Sequence, residues 1–281
     1  MKKNDGDDMK ELILTLQKEI IVPVEMDKVL PEVIEKMSLE EIKNIELVQG
    51  RKRVKLDDIF DVELNDIEGE PRVVIKNSNQ KLKYIGSKMT KGEVIVEGDA
   101  GMYVGAEMKG GKIVVNGNAD SWAGQNMKGG ELLIKGDARD YVGSAYRGDW
   151  RGMSGGTIIV EGNAGNEIGE FMRKGVIHIK GDVGIMAGIH QNGGMIIIDG
   201  NADVRVGGEM KAGAIIVYGK VEEVLPSFKF EGIVENPIIK LSKKDEGTPV
   251  TGTFYKFIGD YVNRKPKGQL YISVDSNPDL I

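Results

Sequence analysis

The sequence predicts a mainly β fold: a right-handed parallel β-helix, a single-stranded solenoid of about seven coils, with a small α+β N-terminal cap. Three observations carry this expectation. A thirteen-residue phrase, roughly Gly-x-x-Met-x-x-Gly-x-Ile/Leu-x-Ile/Val-x-Gly, occurs seven times between Gly86 and Gly219. The copies start at Gly86, Gly105, Gly124, Trp150, Gly169, Gly188 and Gly207, a step of 19 residues except for one of 26, and a fixed step is the signature of stacked coils. Each copy carries a short, mostly β-branched run between glycines, such as Val94-Ile95-Val96 or Ile215-Ile216-Val217. Such a run is too short for a helix and has the character of a buried strand.

Residues 1–85 are expected to form the cap, because the end of a β-helix exposes unpaired backbone. Glu11 to Val24 is strand-like. Within Leu30 to Val48 a short amphipathic helix is expected to start near Ser38, where Glu41 completes a capping box. Asp57 to Ile75 returns to strand character and leads into the first coil. Residues 86–225 are the solenoid. With each copy numbered from zero, glycines at positions 0, 6 and 12 would each cost a helix about 1 kcal/mol and suit corners of positive φ. The repeat stops at Pro226, and residues 226–281, which include TGTFYKFIGDYVNRKPKGQLYI, are expected to pack on the solenoid or on a partner.

Stacking turns each position into a column. Position 3 holds Met89, Met108, Met127, Met153, Met172, Gln191 and Met210, an internal stack of gap-filling side chains; a thioether metal site would want a His or Cys column beside it, and none exists. Position 13 alternates as Asp99, Asn118, Asp137, Asn163, Asp182 and Asn201. The expectation is a structural ladder in which each Asn donates to its Asp neighbours; calcium-binding solenoids have nine-residue repeats and keep their carboxylates. Position 17 gives Tyr103, Trp122 and Tyr141, a stacked aromatic ladder on the outside of the coils.

Two features point to partners. Position 9 should face away from the interior, because side chains alternate along a strand, yet it reads Ile95, Val114, Leu133, Ile159, His178, Ile197 and Ile216. Something must cover that apolar column, either the chain's own flanks or another protein of a complex. The single seven-residue insertion, Gly143 to Asp149, runs into Trp150 as GSAYRGDWRG. Its Tyr146, Arg147, Trp150 and Arg151 are of types enriched at interface hot spots, and loops that interrupt a solenoid are often binding surfaces.

The chain of 281 residues is 40% hydrophobic and 29% charged, with a net charge of −6, so it is expected to be a packed domain without the basic stripe that nucleic acid requires. No apolar run is long enough for a transmembrane segment, and MKKNDGDDMK starts no secretory signal; a cytoplasmic location is expected. Cysteine is absent, which removes disulfides, thiolate nucleophiles and iron–sulfur ligation. The two histidines, His178 and His190, have no neighbouring His in sequence to make a metal pair. No nucleophile elbow, phosphate loop or dinucleotide fingerprint occurs, so neither a catalytic nor a cofactor-binding residue is assigned.

The repeat, with its Met at position 3, resembles the seven-repeat region of the C subunit of formylmethanofuran dehydrogenase. The flanks are similar too, through VPVEMDKVLPE and MSLEEIKNIELVQGRKRVKLDDIFDVE. The repeat alone also resembles the C-terminal β-helix domain of glutamate synthase large subunits. The first resemblance implies a scaffolding subunit of a complex that reduces CO2 and forms formylmethanofuran, the first step of methanogenesis from CO2. It places the tungsten or molybdenum pterin, the iron–sulfur clusters and a binuclear metal site in other chains: a metallopterin subunit, an amidohydrolase-like subunit and ferredoxin-like subunits. The alternatives are the C subunit of the related bacterial formyltransferase/hydrolase complex, a glutamate-synthase-type structural domain, and a hexapeptide acyltransferase that would use one of the two histidines.

Overall fold

The computed structural model describes residues 9–242 and 244–281; the opening MKKNDGDD segment lies outside the described residues. The cap comprises β1 (Met9–Leu16), β2 (Val24–Glu25), α1 (Pro31–Ile34), α2 (Leu39–Lys43), β3 (Glu46–Gln49), β4 (Lys52–Lys55), β5 (Phe60–Ile67), β6 (Arg72–Ser78) and β7 (Leu82–Lys83). In β1, Leu12, Leu14 and Leu16 alternate inward. Strand character does not continue to Val24 as the sequence suggested: Gln17, Lys18 and Glu19 are exposed, and Pro23 has no N–H for a ladder. Helix α2 starts where expected. Ser38 Oγ accepts from the Glu41 amide, and the Glu41 carboxylate accepts from the Ser38 amide at 2.8 Å, a cap worth about 1 kcal/mol.

Coil strands β8 (Glu93–Gly98), β9 (Lys112–Val115), β10 (Glu131–Ile134), β11 (Ser154–Val160), β12 (Lys174–Ile179), β13 (Asn192–Ile198) and β14 (Ala212–Val217) pair in parallel, with equal positions of successive repeats in register. A second contact line runs down the small residues Ala100, Ala119, Ala138, Ala164, Val183, Ala202 and Val221. The parallel ladder begins before the first phrase: β6 pairs with β8, and β1 pairs in parallel with β6. Antiparallel β5 then closes that edge.

The fourth coil opens at Gly143 rather than Trp150. Gly143 has φ +67°, the value of Gly124 and Gly169 (both +66°), and its carbonyl accepts from Met153 just as the Gly124 carbonyl accepts from Met127. A Cβ there would strike Ile177 Cδ1, so neither Trp150 nor any other L-residue suits the corner. Ser144 and Ala145 fill positions 1 and 2, bonded to the neighbouring coils through their backbone, and the inserted residues are 146–152.

Inside, all six methionines of position 3 and Gln191 are fully buried, together with the aliphatic residues of positions 8 and 10, each worth about 1.5–3 kcal/mol on burial. The position-13 ladder differs in detail from the expectation. Asp and Asn act alike: Asp99 Oδ1 accepts from the Asn118 amide at 2.8 Å, Asn118 Oδ1 from the Asp137 amide at 2.8 Å, and so on to Lys220. Carboxyl and amide present the same oxygen, and each turns to the backbone of the next coil rather than to its neighbour's side chain. Position-12 glycine follows from this: at Gly117 a Cβ would sit 2.5 Å from Asp99 Oδ1. That glycine is needed for close approach, not for its φ.

After the last coil come β15 (Lys229–Glu235), β16 (Ile238–Ile239), β17 (Thr248–Pro249), β18 (Thr253–Gly259) and β19 (Lys267–Ser273). Strand β19 adds in parallel to β14; β18 and β15 then turn antiparallel, completing a 13-stranded sheet that runs β15-β18-β19-β14 down to β6-β1-β5. Among the described residues no helix is long and apolar enough to cross a membrane.

Candidate functional site: the outer face and the insertion loop

The outer face of the coil sheet is built from positions 7, 9 and 11. In the last coils position 7 is apolar (Val176, Met195, Ala214), and there the β16–β17 hairpin lies over the sheet. Ile239, Val250, Phe254 and Tyr271 bury Met195, Ala214 and Ile216 in a second hydrophobic cluster, separate from the solenoid interior, with Val176 and Ile197 packed against it. Phe254 is 0% exposed and makes edge contacts with Tyr218 and Tyr271. Ile216 is therefore withdrawn from any partner, and Ile197 lies under the margin of the hairpin. The chain's own tail provides this cover.

In the first coils the column stays half-exposed at Ile95, Val114, Leu133 and Ile159. It is bordered by mostly charged rows, Glu93, Lys112, Glu131 and Thr157 at position 7 and Glu97, Asn116, Lys135 and Glu161 at position 11. At position 7, Arg72 contacts Glu11 at 3.2 Å and Glu93 at 2.8 Å, and Lys112 contacts Glu131 at 3.1 Å. At position 11, Lys180 contacts Glu161 at 3.2 Å. His178 sits at the boundary between the two halves, with Nε2 2.9 Å from Asp199 Oδ2; together with Ile197, Tyr218 and Pro249 it lines a cleft at the hairpin's edge.

On another side, the aromatic ladder has four rungs. Tyr84 stacks on Tyr103 (4.7 Å between centroids), Tyr103 on Trp122 (5.4 Å) and Trp122 on Tyr141 (4.6 Å). The sequence reading missed Tyr84 because it precedes the first phrase, although it lies 19 residues before Tyr103. Burial pushes the Tyr84 and Tyr103 phenols up; Glu25 adds to the effect at Tyr84, as Tyr84 does at Tyr103, where Arg147 opposes it. The ladder ends in the fourth coil, where position 17 is Glu167. A second, shorter stack, Phe171 on His190 at 4.5 Å, then runs along position 2.

The insertion bridges this handover. The Arg147 guanidinium carbon lies 5.8 Å from the Trp122 ring and 5.9 Å from Tyr141, within cation–π range, so Arg147 is engaged within the chain. Asn126 anchors the loop at both ends, accepting from the Tyr146 amide at 3.2 Å and donating to Asp149 at 3.4 Å. Asp149 in turn holds Arg151 at 3.1 Å. The large apolar side chains left outward are Trp150, 73% exposed, and Tyr146, 54% exposed; Arg147 and Arg151 are exposed as well. Behind the loop, burial and Glu167 raise the Glu170 carboxyl, with Arg147 opposing.

The two histidines occupy different columns and engage different carboxylates: His178 pairs with Asp199, and His190 lies 3.5 Å from Glu209. Among the described residues no group of three or more His, Asp or Glu is arranged to hold a metal ion.

No protein-family model matches the chain. It is 90% identical over 273 residues to the C subunit of the tungsten-containing formylmethanofuran dehydrogenase 2 of Methanocaldococcus jannaschii, an alignment spanning 97% of this chain and 100% of that one. It is 69% identical over the same shares to the protein of that description from Methanococcus maripaludis. The Methanothermobacter thermautotrophicus counterpart is 61% identical over 237 residues, 84% of this chain and 86% of that one. Among solved structures, a chain of the formyltransferase/hydrolase complex of Methylorubrum extorquens, crystallised with methylofuran, matches with a TM-score of 0.80 and 26% identity over 93% of this chain and 99% of its own. With identity this high along nearly the whole length, the repeats and both flanking regions included, the chain belongs to the family of formylmethanofuran dehydrogenase C subunits.

Proposed function

We propose that this chain is a non-catalytic scaffolding subunit of a cytoplasmic, tungsten-dependent formylmethanofuran dehydrogenase complex, which reduces CO2 and forms formylmethanofuran in the first step of methanogenesis. The complex would carry its metallopterin, iron–sulfur clusters and binuclear metal site in the metallopterin, ferredoxin-like and amidohydrolase-like subunits. The observation that carries the reading is the division of one sheet face: the tail covers the last coils, while Ile95, Val114, Leu133 and Ile159 stay open on a rigid ladder. Trp150 and Tyr146 provide a second docking point, of the aromatic kind that dominates interface energetics. Native purification with identification of the associated proteins and metal analysis tests this. Co-purification with a tungsten-containing protein is expected, and a stable lone monomer in cell extract would overturn it.

The TM-score of 0.80 to a chain of the formyltransferase/hydrolase complex favours one further reading, that of the corresponding subunit in a complex without a redox metal. A native complex lacking both tungsten and molybdenum would select it.

A further inference from the structure

Between the cap and the first three coils, beside the first rung of the aromatic ladder, lies a cavity of about 270 Å3. Strand β2 and the segment leading to α1 supply Glu25, Asp27 and Leu30 to it; Tyr84 and the coils supply the opposite wall, with Ser87 and Gln125 at position 1. We infer that this cavity is a binding site for an organic cation, a guanidinium or ammonium group carried on a short apolar stem.

Three observations support it. Ser87 is 5% exposed and Gln125 8% exposed, yet among the described residues neither side chain has a hydrogen-bond partner, and both line the cavity. Buried polar groups are as a rule paired, and at the same position of the fourth coil Ser144 is: its hydroxyl donates to the Glu167 carbonyl and accepts from the Glu170 amide. Ser87 and Gln125 are left for a ligand. The charge around them is one-sided. Lys88, on the cavity wall, and Lys128 both turn to Glu107, at 3.9 and 3.2 Å, and Lys28 donates to the Glu46 carbonyl. Lys83 is the register partner of Glu25 in β7 but does not line the cavity. Among the described residues no cation pairs with Glu25 or Asp27, and both act on the wall: burial, and then Glu25, Tyr146 and Asp27, push the Tyr84 phenol up. An anion would be repelled by these carboxylates, and a neutral ligand would leave them unanswered, whereas a cation gains charge-assisted hydrogen bonds. Finally, buried Leu30 and Ala106 give a stem an apolar lining, and Tyr84 offers an aromatic ring, a surface that cations favour. The chain's own Arg147 makes that kind of contact farther along the same ladder, with Trp122 and Tyr141.

The probe is n-butylguanidinium chloride, with neutral n-butylurea as its isostere, added to the full chain and followed by saturation-transfer NMR. Butylguanidinium should bind and butylurea should not. The double variant Glu25→Gln/Asp27→Asn should weaken binding about tenfold, the order of one charge-assisted contact. If the double variant does not fold, Asp27→Asn alone, at an exposed residue, should weaken it in the same direction. Equal binding of butylurea, an unchanged affinity in the folded variant, or displacement of the probe by an equal concentration of magnesium chloride would overturn the inference. Carbodiimide amidation of Glu25 and Asp27 in the native complex then separates the two sources of such a cation. Protection relative to the free chain identifies a basic side chain of another protein, and open carboxylates that still bind butylguanidinium identify a free small cation. Open carboxylates that bind no probe in the complex would also overturn it. A chain that never assembles would remove the scaffold reading and leave the result on the free chain standing.

Discussion

The two halves of the solenoid share one interior and differ on the outside. Both have the methionine stack, the aliphatic strands and the Asx ladder. Over the last coils position 7 is Val176, Met195 and Ala214, and the chain covers them itself; over the first coils it is Glu93, Lys112 and Glu131, and the column between the charges is left half-open. A change of one residue per coil thus marks where an intramolecular cover stops. Burying Glu93 or Lys112 under a hairpin would cost desolvation, a cost that Val176, Met195 and Ala214 do not incur under the tail.

Truncating each half's apolar contacts should separate them most sharply. Phe254→Ala, in the covered half, should cost about 3–5 kcal/mol of stability in the isolated chain, because the side chain is fully buried between Tyr218 and Tyr271. Leu133→Ala, in the open half, should cost about 1 kcal/mol or less. Denaturant titration of the two variants checks the pair, and equal losses would erase the distinction.

Gln191 tests whether the interiors are as uniform as the outer faces are not. It replaces methionine in one coil of the later half, and although its Nε2 donates to the Gly193 and Gly194 carbonyls at 3.0 and 3.1 Å, its Oε1 is buried without a partner. Gln191→Met should stabilise by about 1 kcal/mol, the order of an unsatisfied buried acceptor, read as a raised melting temperature. In the earlier half, Arg147→Ala should lose about 0.5–1 kcal/mol of cation–π contact with the aromatic ladder. Its larger signature should be faster proteolysis of residues 146–152.

The smallest effect is one of pH. Glu170 has its carboxyl raised above the usual 4.5, chiefly by burial. A carboxyl raised on folding binds its proton more tightly in the native state, so its contribution to stability is present below pH 4.5 and is lost as pH rises through the folded value. Glu170→Gln should therefore flatten the fall in stability between pH 4.5 and neutrality while leaving the acid end unchanged, as followed by melting temperature against pH.

Much of this molecule was legible in its repeat. The 19-residue step gave the coils, the β-branched triplets their strands, and the Ser38/Glu41 spacing the cap of α2. The fourth corner was harder, because Trp150 restores the spacing of the phrase downstream of it while Gly143 alone has the backbone conformation the corner needs. Tyr84 was missed for a related reason: the coil it belongs to lacks the phrase. Of the interface candidates, Ile216 is buried under the chain's own tail, whereas Arg147 stays exposed while facing Trp122 and Tyr141, and a single column of apolar residues cannot show which of its members the tail will reach.

The sequence by itself determined the solenoid, since a strand and its glycine corners are local choices repeated at fixed distance. It also determined that the position-9 column is apolar on the outward face of a strand, which follows from side-chain alternation alone. Only the tertiary structure decided where that column is closed and where it stays open. The closing hairpin follows the last coil, and the strands after it, β18 and β19, supply Phe254 and Tyr271 to the same cluster, with β19 paired in parallel to β14; which coils this tail reaches is a matter of tertiary packing.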